Sequence, residues 1–110
     1  MKDVPRPPSS VGTVPDCVAA NRDNLQACSA KRSAWENEDP LAIAAKQAAD
    51  DRINVIDMTN YFCTAKTCSG VFGGVIAFFD THHITKTYSE SLAPFLAKPL
   101  GKAAAAAAQR

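Results

Sequence analysis

The chain has 110 residues, enough for one small domain whose core is marginal without cross-links or other support. Apolar residues make up 46% of it, charged residues 21%, and the formal net charge is +1. This near-neutral balance excludes a basic field for nucleic acid and a polybasic stretch for anionic lipid, so we expect neither partner.

The N-terminal residues 1–16 are rich in proline. Proline fixes φ and removes a backbone donor, so this stretch is predicted to be an extended, irregular lead-in. The chain starts without the apolar segment of a signal peptide. The longest apolar run, over residues 71–79, is too short to span a bilayer.

Four cysteines form two local pairs, Cys17 with Cys28 and Cys63 with Cys68. An even number at short spacing in a small chain indicates disulfides and an oxidising compartment. Of the three possible pairings we favour these two, because each closes a short polar loop. Free thiols and a zinc site are the alternatives, but the spacings exceed those of a zinc knuckle and no histidine lies near either pair. We expect no metal and no cofactor.

A disulfide-bearing chain with no export signal is either exported unconventionally or is part of a longer protein. We favour the second interpretation.

A helix is predicted to start at Asp39-Pro40, with Asp at the N-cap and Pro at the first helical position. It should run to about Asp50. Its apolar face is thin and alanine-rich, so we expect it to pack closely on a sheet. The preceding polar residues, from 17 to 38, are predicted to form a loop held by the first cysteine pair.

Two β-rich segments follow. The β-branched run over residues 53–57 is predicted to be a strand after a helix, and residues 58–68 a loop. Gly73-Gly74 separates two apolar runs and predicts a bend or a tight hairpin turn. The second run, residues 75–79, is apolar on both faces, as a buried central strand would be.

A second helix is predicted after the two histidines. Thr87 to Glu90 fits a capping box, and Thr85 is an alternative start. Pro94 should kink or shorten this helix. From residue 98 onward the chain becomes alanine-rich, and we expect residues 98–110 to be a frayed or disordered tail.

Asp80 and His83 are the candidate catalytic residues. Histidine is the usual general base near neutral pH, and it needs a partner that holds its tautomer. If the chain turns between the two residues, the Asp80 carboxylate accepts from Nδ1–H of His83 and leaves Nε2 free for a serine hydroxyl. They lie after an apolar strand, where ligands bind in open α/β sheets. His82 is interpreted as shaping the loop. The alternative is a surface turn with an incidental histidine pair.

The stretch from Ile56 to Leu96, which contains Ile-Asp-Met-Thr-Asn-Tyr-Phe-Cys and Val-Ile-Ala-Phe-Phe-Asp-Thr-His-His-Ile-Thr, resembles a known family. It is similar to the C-terminal part of the SGNH-type (GDSL-like) hydrolase or acyltransferase domain attached to acyltransferase-3 membrane proteins. Asp3-Val4-Pro5-Arg6-Pro7, followed by Pro15-Asp16-Cys17, resembles the segment after that domain's middle strand. The block Asp80-x-x-His83 is the most specific piece of a likeness that covers residues 3–97.

The resemblance implies the C-terminal half of a flavodoxin-like three-layer α/β/α sandwich, formed by residues 17–97 and lying outside the cytoplasmic membrane. It implies Asp80 as orienter and His83 as base, in an enzyme that moves acyl groups from a donor onto cell-surface sugars. The family's Gly-Asp-Ser nucleophile block is not in this sequence. We therefore expect an inactive fragment that needs its N-terminal half and a membrane acyltransferase domain. A non-catalytic, disulfide-stabilised secreted binding or structural module is the alternative.

Overall fold

A computed structural model describes residues 1–109. Within these residues, ten elements follow one another. They are helix α1 (Val14–Ala20), a 3-10 turn (Leu25–Cys28), strand β1 (Ser29–Lys31), helices α2 (Arg32–Trp35) and α3 (Pro40–Ala48), a second 3-10 turn (Thr59–Tyr61), strands β2 (Thr67–Ser69), β3 (Val71–Phe72) and β4 (Val75–Ile76), and helix α4 (Lys86–Ala108). The described residues contain no helix that is both long and apolar enough to cross a membrane.

The strands form two small antiparallel sheets. One joins β1 to β2, with Ala30 opposite Cys68, and the other joins β3 to β4. The architecture is therefore mixed helix and strand, and the three-layer sandwich predicted for this half-domain is not confirmed in residues 1–109. The predicted strand over residues 53–57 is extended chain outside any sheet, tied by the Lys2 amide, which donates to the Ile56 carbonyl at 2.8 Å. A strand requires a neighbour along its length, and this segment has one such bond.

The tight hairpin predicted at Gly73-Gly74 is confirmed. These two residues connect β3 to β4, and both have positive φ, 55° and 80°. A two-residue hairpin loop with φ above zero at both positions is the type I′ turn, which suits glycine and matches the twist of the strands. The predicted central strand over 75–79 is shorter than expected: β4 ends at Ile76, and Phe79 is 58% exposed.

Helix α3 begins where the sequence predicts. The Asp39 carboxylate accepts from the backbone N–H groups of Leu41 and Ala42. The backbone N–H of Asp3 lowers the pKa of Asp39 most, and those of Ala42 and Leu41 add to this. The helix ends at Ala48, close to the expected Asp50. Its predicted close packing on a sheet is not confirmed, since it buries a single alanine.

Helix α4 differs from prediction at both ends. It starts at the alternative site, where the Thr85 hydroxyl caps the Tyr88 amide, and not at the capping box of Thr87 and Glu90. It also continues past Pro94 through Ala108, where we predicted a disordered tail. Alanine is the strongest helix former, and extending an existing helix requires no new nucleation. This explains why the exposed alanine run stays helical.

Both predicted disulfides are confirmed, Cys17–Cys28 and Cys63–Cys68, so the free-thiol and zinc alternatives for these residues are wrong. The first joins α1 to the following 3-10 turn. The second ties the loop before β2 to that strand. The loop predicted for residues 17–38 is therefore more regular than expected, because it carries most of α1, a 3-10 turn, β1 and α2.

An aromatic cluster forms the core beside these disulfides. Trp35, Phe62 and Phe78 are fully buried, and the Phe78 ring centroid lies 5.9 Å from that of Trp35 and 5.5 Å from that of Phe62. Tyr88 of α4 meets Phe62 edge-on at 5.3 Å. Burial raises the pKa of Tyr88, whose hydroxyl donates to the Tyr61 carbonyl. Edge-on and offset contacts of this kind add to the stabilisation that area burial provides. The cluster anchors the residues on both sides of the Asp80 loop.

Gly70 gives a test of this packing. A Cβ at Gly70 would lie 2.6 Å from Cγ2 and 2.8 Å from Cγ1 of Val14, which is fully buried and has no room to move aside. We expect Gly70→Ala to lower the free energy of unfolding by about 1–3 kcal/mol in a denaturant titration. Gly101→Ala is the control, because nothing lies within 4 Å of that position in α4. Equal stability changes in the two variants would contradict the packing.

Candidate functional site

A short loop between β4 and α4 brings Asp80 and His83 together. Oδ1 of Asp80 accepts the backbone N–H groups of His82 at 2.8 Å and His83 at 2.7 Å. Oδ2 of the same carboxylate lies 2.6 Å from Nδ1 of the His83 ring. One carboxylate therefore folds the turn with one oxygen and holds the imidazole with the other. The contact predicted from the three-residue spacing is present.

The electrostatics of the loop favour an ionised Asp80. The backbone N–H groups of His82 and His83 hold the pKa of the Asp80 carboxyl well below its ordinary value, and the His83 ring adds to this. An ionised carboxylate can only accept hydrogen bonds, so the 2.6 Å contact places the proton of a neutral His83 on Nδ1. Nε2 then carries the lone pair. This is the tautomer that a general base requires.

The ends of the loop are fixed to buried backbone. The Phe79 amide donates to the His83 carbonyl at 3.0 Å, and the Thr85 amide donates to the carbonyl of the fully buried Ala77 at 2.8 Å. The Thr85 hydroxyl donates to the Ile76 carbonyl at 2.6 Å while it caps α4. The position of Asp80 and His83 is thus set by the end of β4 and the start of α4.

The His83 side chain is accessible, at 58% of its full exposure. Its ring stacks on Phe79, with centroids 5.4 Å apart and planes 11° from parallel. The His82 ring lies 4.0 Å from it, centroid to centroid, and its Nδ1 contacts the Thr81 hydroxyl at 3.1 Å. His82 shapes the loop through its amide, as expected, but its ring also borders the site. The sequence offered no sign of that ring contact.

An open cavity of about 520 Å³ borders the two histidines. The rest of its wall comes from the N-terminal residues, including Lys2 and Asp3, and from the start of α3, where Asp39 lies. The Asp3 amide donates to the Asp39 carboxylate at 2.7 Å and joins these two parts. The sequence predicts residues 1–16 to be a lead-in and gives no sign of this wall, because the contact links residues 36 positions apart.

A second cavity of about 460 Å³ lies between residues 55–58 and the middle of α4, around Phe95. It is lined mainly by apolar side chains and includes neither histidine, serine nor cysteine. Its polar members are Asp57, Tyr61 and Lys98, and without a histidine it lacks the side chain that usually acts as a general base near neutral pH.

No serine hydroxyl is hydrogen-bonded to His83 within residues 1–109. Ser69 is occupied elsewhere: its hydroxyl donates to the Val71 carbonyl at 3.0 Å and accepts the Val71 amide at 3.1 Å. The loop therefore holds a carboxylate and an imidazole in contact, and no nucleophile from the described residues is bonded to that imidazole.

A cation could also find ligands here. Asp80, His82 and His83 each offer one ligand atom, and these atoms all lie within 4.8 Å of one another.

Comparison with known proteins gives one match. The family model described as SGNH domain (fused to AT3 domains) matches residues 1–98, most of the chain. No curated protein and no solved structure matches.

Proposed function

Because this chain belongs to the family of SGNH domains that are fused to AT3 domains, we propose that it supplies the acid–base half of a serine-type acyl-transfer site. His83 is the general base and Asp80 is its orienting carboxylate. The observation that carries this proposal is the 2.6 Å contact between Asp80 Oδ2 and His83 Nδ1, in a loop that leaves the ring accessible.

The chemistry follows from the tautomer. Nε2 of His83 takes the proton of a serine hydroxyl as its oxygen attacks the acyl carbonyl, and the imidazolium then gives that proton to the leaving oxygen. The second half-reaction runs the same steps with an acceptor hydroxyl or water. The ionised Asp80 stabilises the imidazolium and keeps the ring from rotating.

The serine must come from a polypeptide segment other than these residues, since the sequence has no Gly-Asp-Ser block. Two exposed apolar side chains beside the site support a docking face for it. Phe79 is 58% exposed and stacks on His83, and Leu41, at 82%, lines the same cavity as the histidines. We propose that the N-terminal half of the domain covers this face and completes a flavodoxin-like three-layer α/β/α sandwich.

The same proposal places the domain outside the cytoplasmic membrane and assigns it acyl-transfer substrates. Two disulfides in a small chain are typical of oxidising compartments, which supports a position outside the cytoplasmic membrane. The family's fusion to AT3 domains supports a membrane acyltransferase domain as partner. The complete enzyme would take an acyl donor and a cell-surface sugar acceptor.

A complementation assay tests the proposal. The coding sequence upstream of this chain is read, the segment that contains Gly-Asp-Ser is co-expressed with the 110 residues under oxidising conditions, and hydrolysis of p-nitrophenyl acetate is followed. We expect ester hydrolysis only when both parts are present, because each lacks part of the triad.

The control replaces the segment's nucleophilic serine by alanine, which should abolish the covalent step while leaving assembly intact. Equal hydrolysis by the 110 residues alone, or an upstream region without a Gly-Asp-Ser block, would contradict the proposal.

A non-catalytic module is the second candidate. The observation that favours it is the self-contained core, in which both disulfides and the aromatic cluster form within residues 4–88. A cooperative thermal melt of the purified chain, together with no hydrolysis in the complementation assay, would favour this function.

A further inference from the structure

The Asp80 loop presents three potential metal ligands on one side. The side chains of Asp80, His82 and His83 are 35%, 46% and 58% exposed, and their ligand atoms lie within 4.8 Å of one another. Two carboxylates, those of Asp3 and Asp39, line the neighbouring cavity, but neither belongs to this cluster. Because the three side chains are partly exposed and leave the same short turn, we expect side-chain rotation to bring their ligand atoms around one ion.

The donor set selects the kind of ion. Imidazole nitrogen suits zinc, copper and nickel, whereas magnesium and calcium prefer oxygen ligands. Zinc binds histidine nitrogen and carboxylate oxygen at about 2.0–2.2 Å, and tetrahedral geometry then separates neighbouring ligand atoms by roughly 3.3 Å. Two imidazoles, one carboxylate and one water complete four positions. The cluster therefore fits a divalent transition metal better than a hard cation.

We propose that Asp80, His82 and His83 form a binding site for a divalent transition-metal ion, represented by Zn²⁺, and that the bound ion switches the acid–base site off. The binding part stands on the cluster alone. The switching part rests on the proposed function.

A bound metal ion and a serine proton compete for the His83 imidazole, because its neutral form has one N–H and one lone pair. A neutral imidazole carries a single N–H, which in the free loop is on Nδ1 of His83 and points at Asp80. If the metal binds Nδ1, that proton moves to Nε2, which then has no lone pair for a serine proton. If the metal binds Nε2, it occupies the lone pair directly. No proton is gained or lost by the imidazole in either case, and the base is blocked in both.

Binding is tested on the 110-residue chain without any assay of activity. The chain has two histidines, so the imidazole signals in an NMR spectrum report on this site alone. Titration with ZnCl₂ near neutral pH should shift both rings together and saturate at one ion per chain by calorimetry, while MgCl₂ should shift neither. His82→Ala and Asp80→Asn should each weaken zinc binding by at least about 10-fold, since even the loss of a side chain that only orients a ligand costs that much.

Asp57→Asn is the matched control. Asp57 also accepts a backbone amide two residues later, that of Thr59 at 2.9 Å, but it is not in the cluster. Its variant should bind zinc as the parent does. Rings that do not shift, or equal affinity in the Asp57→Asn and Asp80→Asn variants, would overturn the site.

Inhibition is tested in the complemented enzyme, where saturating zinc should abolish ester hydrolysis and a chelator should restore it. Undiminished hydrolysis with zinc bound would overturn the switching part and leave acyl transfer intact. Zinc binding by the three residues, with no hydrolysis under any condition, would instead contradict acyl transfer and leave the metal site standing.

Discussion

Replacing His83 by alanine should reduce kcat of the complemented enzyme by roughly 10⁴- to 10⁶-fold, as loss of the base does in serine hydrolases. The imidazole is the group that both removes and returns the proton, so neither half-reaction has a substitute for it. The residual rate should come from substrate binding and oxyanion donors in the other segment. The measurement is kcat with p-nitrophenyl acetate.

The Asp80→Asn variant keeps the His83 imidazole and tests whether the Asp80 carboxylate sets its tautomer. The amide oxygen of the introduced asparagine can still accept the two backbone N–H groups that fold the turn, but its NH₂ would donate to Nδ1 and place the His83 proton on Nε2. We expect kcat to fall by about 10⁴-fold with an unchanged circular dichroism spectrum. Asp57→Asn, the same change in another capped turn, should leave kcat near the parent value.

Full activity of His83→Ala would show that the His83 imidazole is not the general base, even though it contacts Asp80. Full activity of Asp80→Asn would show that the hydrogen bond to Nδ1 has no catalytic role.

Removing either disulfide should destabilise the fold, and the size of the loss should differ between the two. Cys17–Cys28 spans 11 positions and Cys63–Cys68 spans 5. In the chain-entropy model, the longer loop removes more freedom from the unfolded chain. Double alanine replacement should lower the free energy of unfolding by about 3 kcal/mol for Cys17–Cys28 and about 2 kcal/mol for Cys63–Cys68.

Denaturant titration under oxidising conditions measures both values, with the parent chain as reference. Each double variant is the matched control of the other, because each replaces two buried cysteines by alanine. A larger loss for Cys63–Cys68 would contradict the entropic account.

Local chemistry made several features predictable. Asp39 before Pro40 predicts a helix start, because the carboxylate can accept from the free amides of the first turn. Gly73-Gly74 can adopt the positive φ values that a two-residue hairpin needs. Asp80 three residues before His83 allows one short turn to join carboxylate and imidazole. In each case the interacting groups lie within one turn of the chain, so little else can intervene.

Features that depend on distant neighbours were harder to predict. Residues 53–57 have strand composition, but they pair with the Lys2 amide and not with a sheet. The N-terminal wall of the cavity beside His83 depends on the Asp3–Asp39 contact, which no local pattern reveals.

The sequence by itself determined the local turns, the α3 cap, the pairing of cysteines close in the chain and the residues able to act as base and orienter. Only the tertiary structure decided which strands pair, where the N-terminal segment lies and that the His82 ring joins the site. The physical reason is the distance along the chain between the interacting residues. Hydrogen bonds within a turn are specified by the residues of that turn. Burial and sheet pairing depend on which distant segments compete for the same surface.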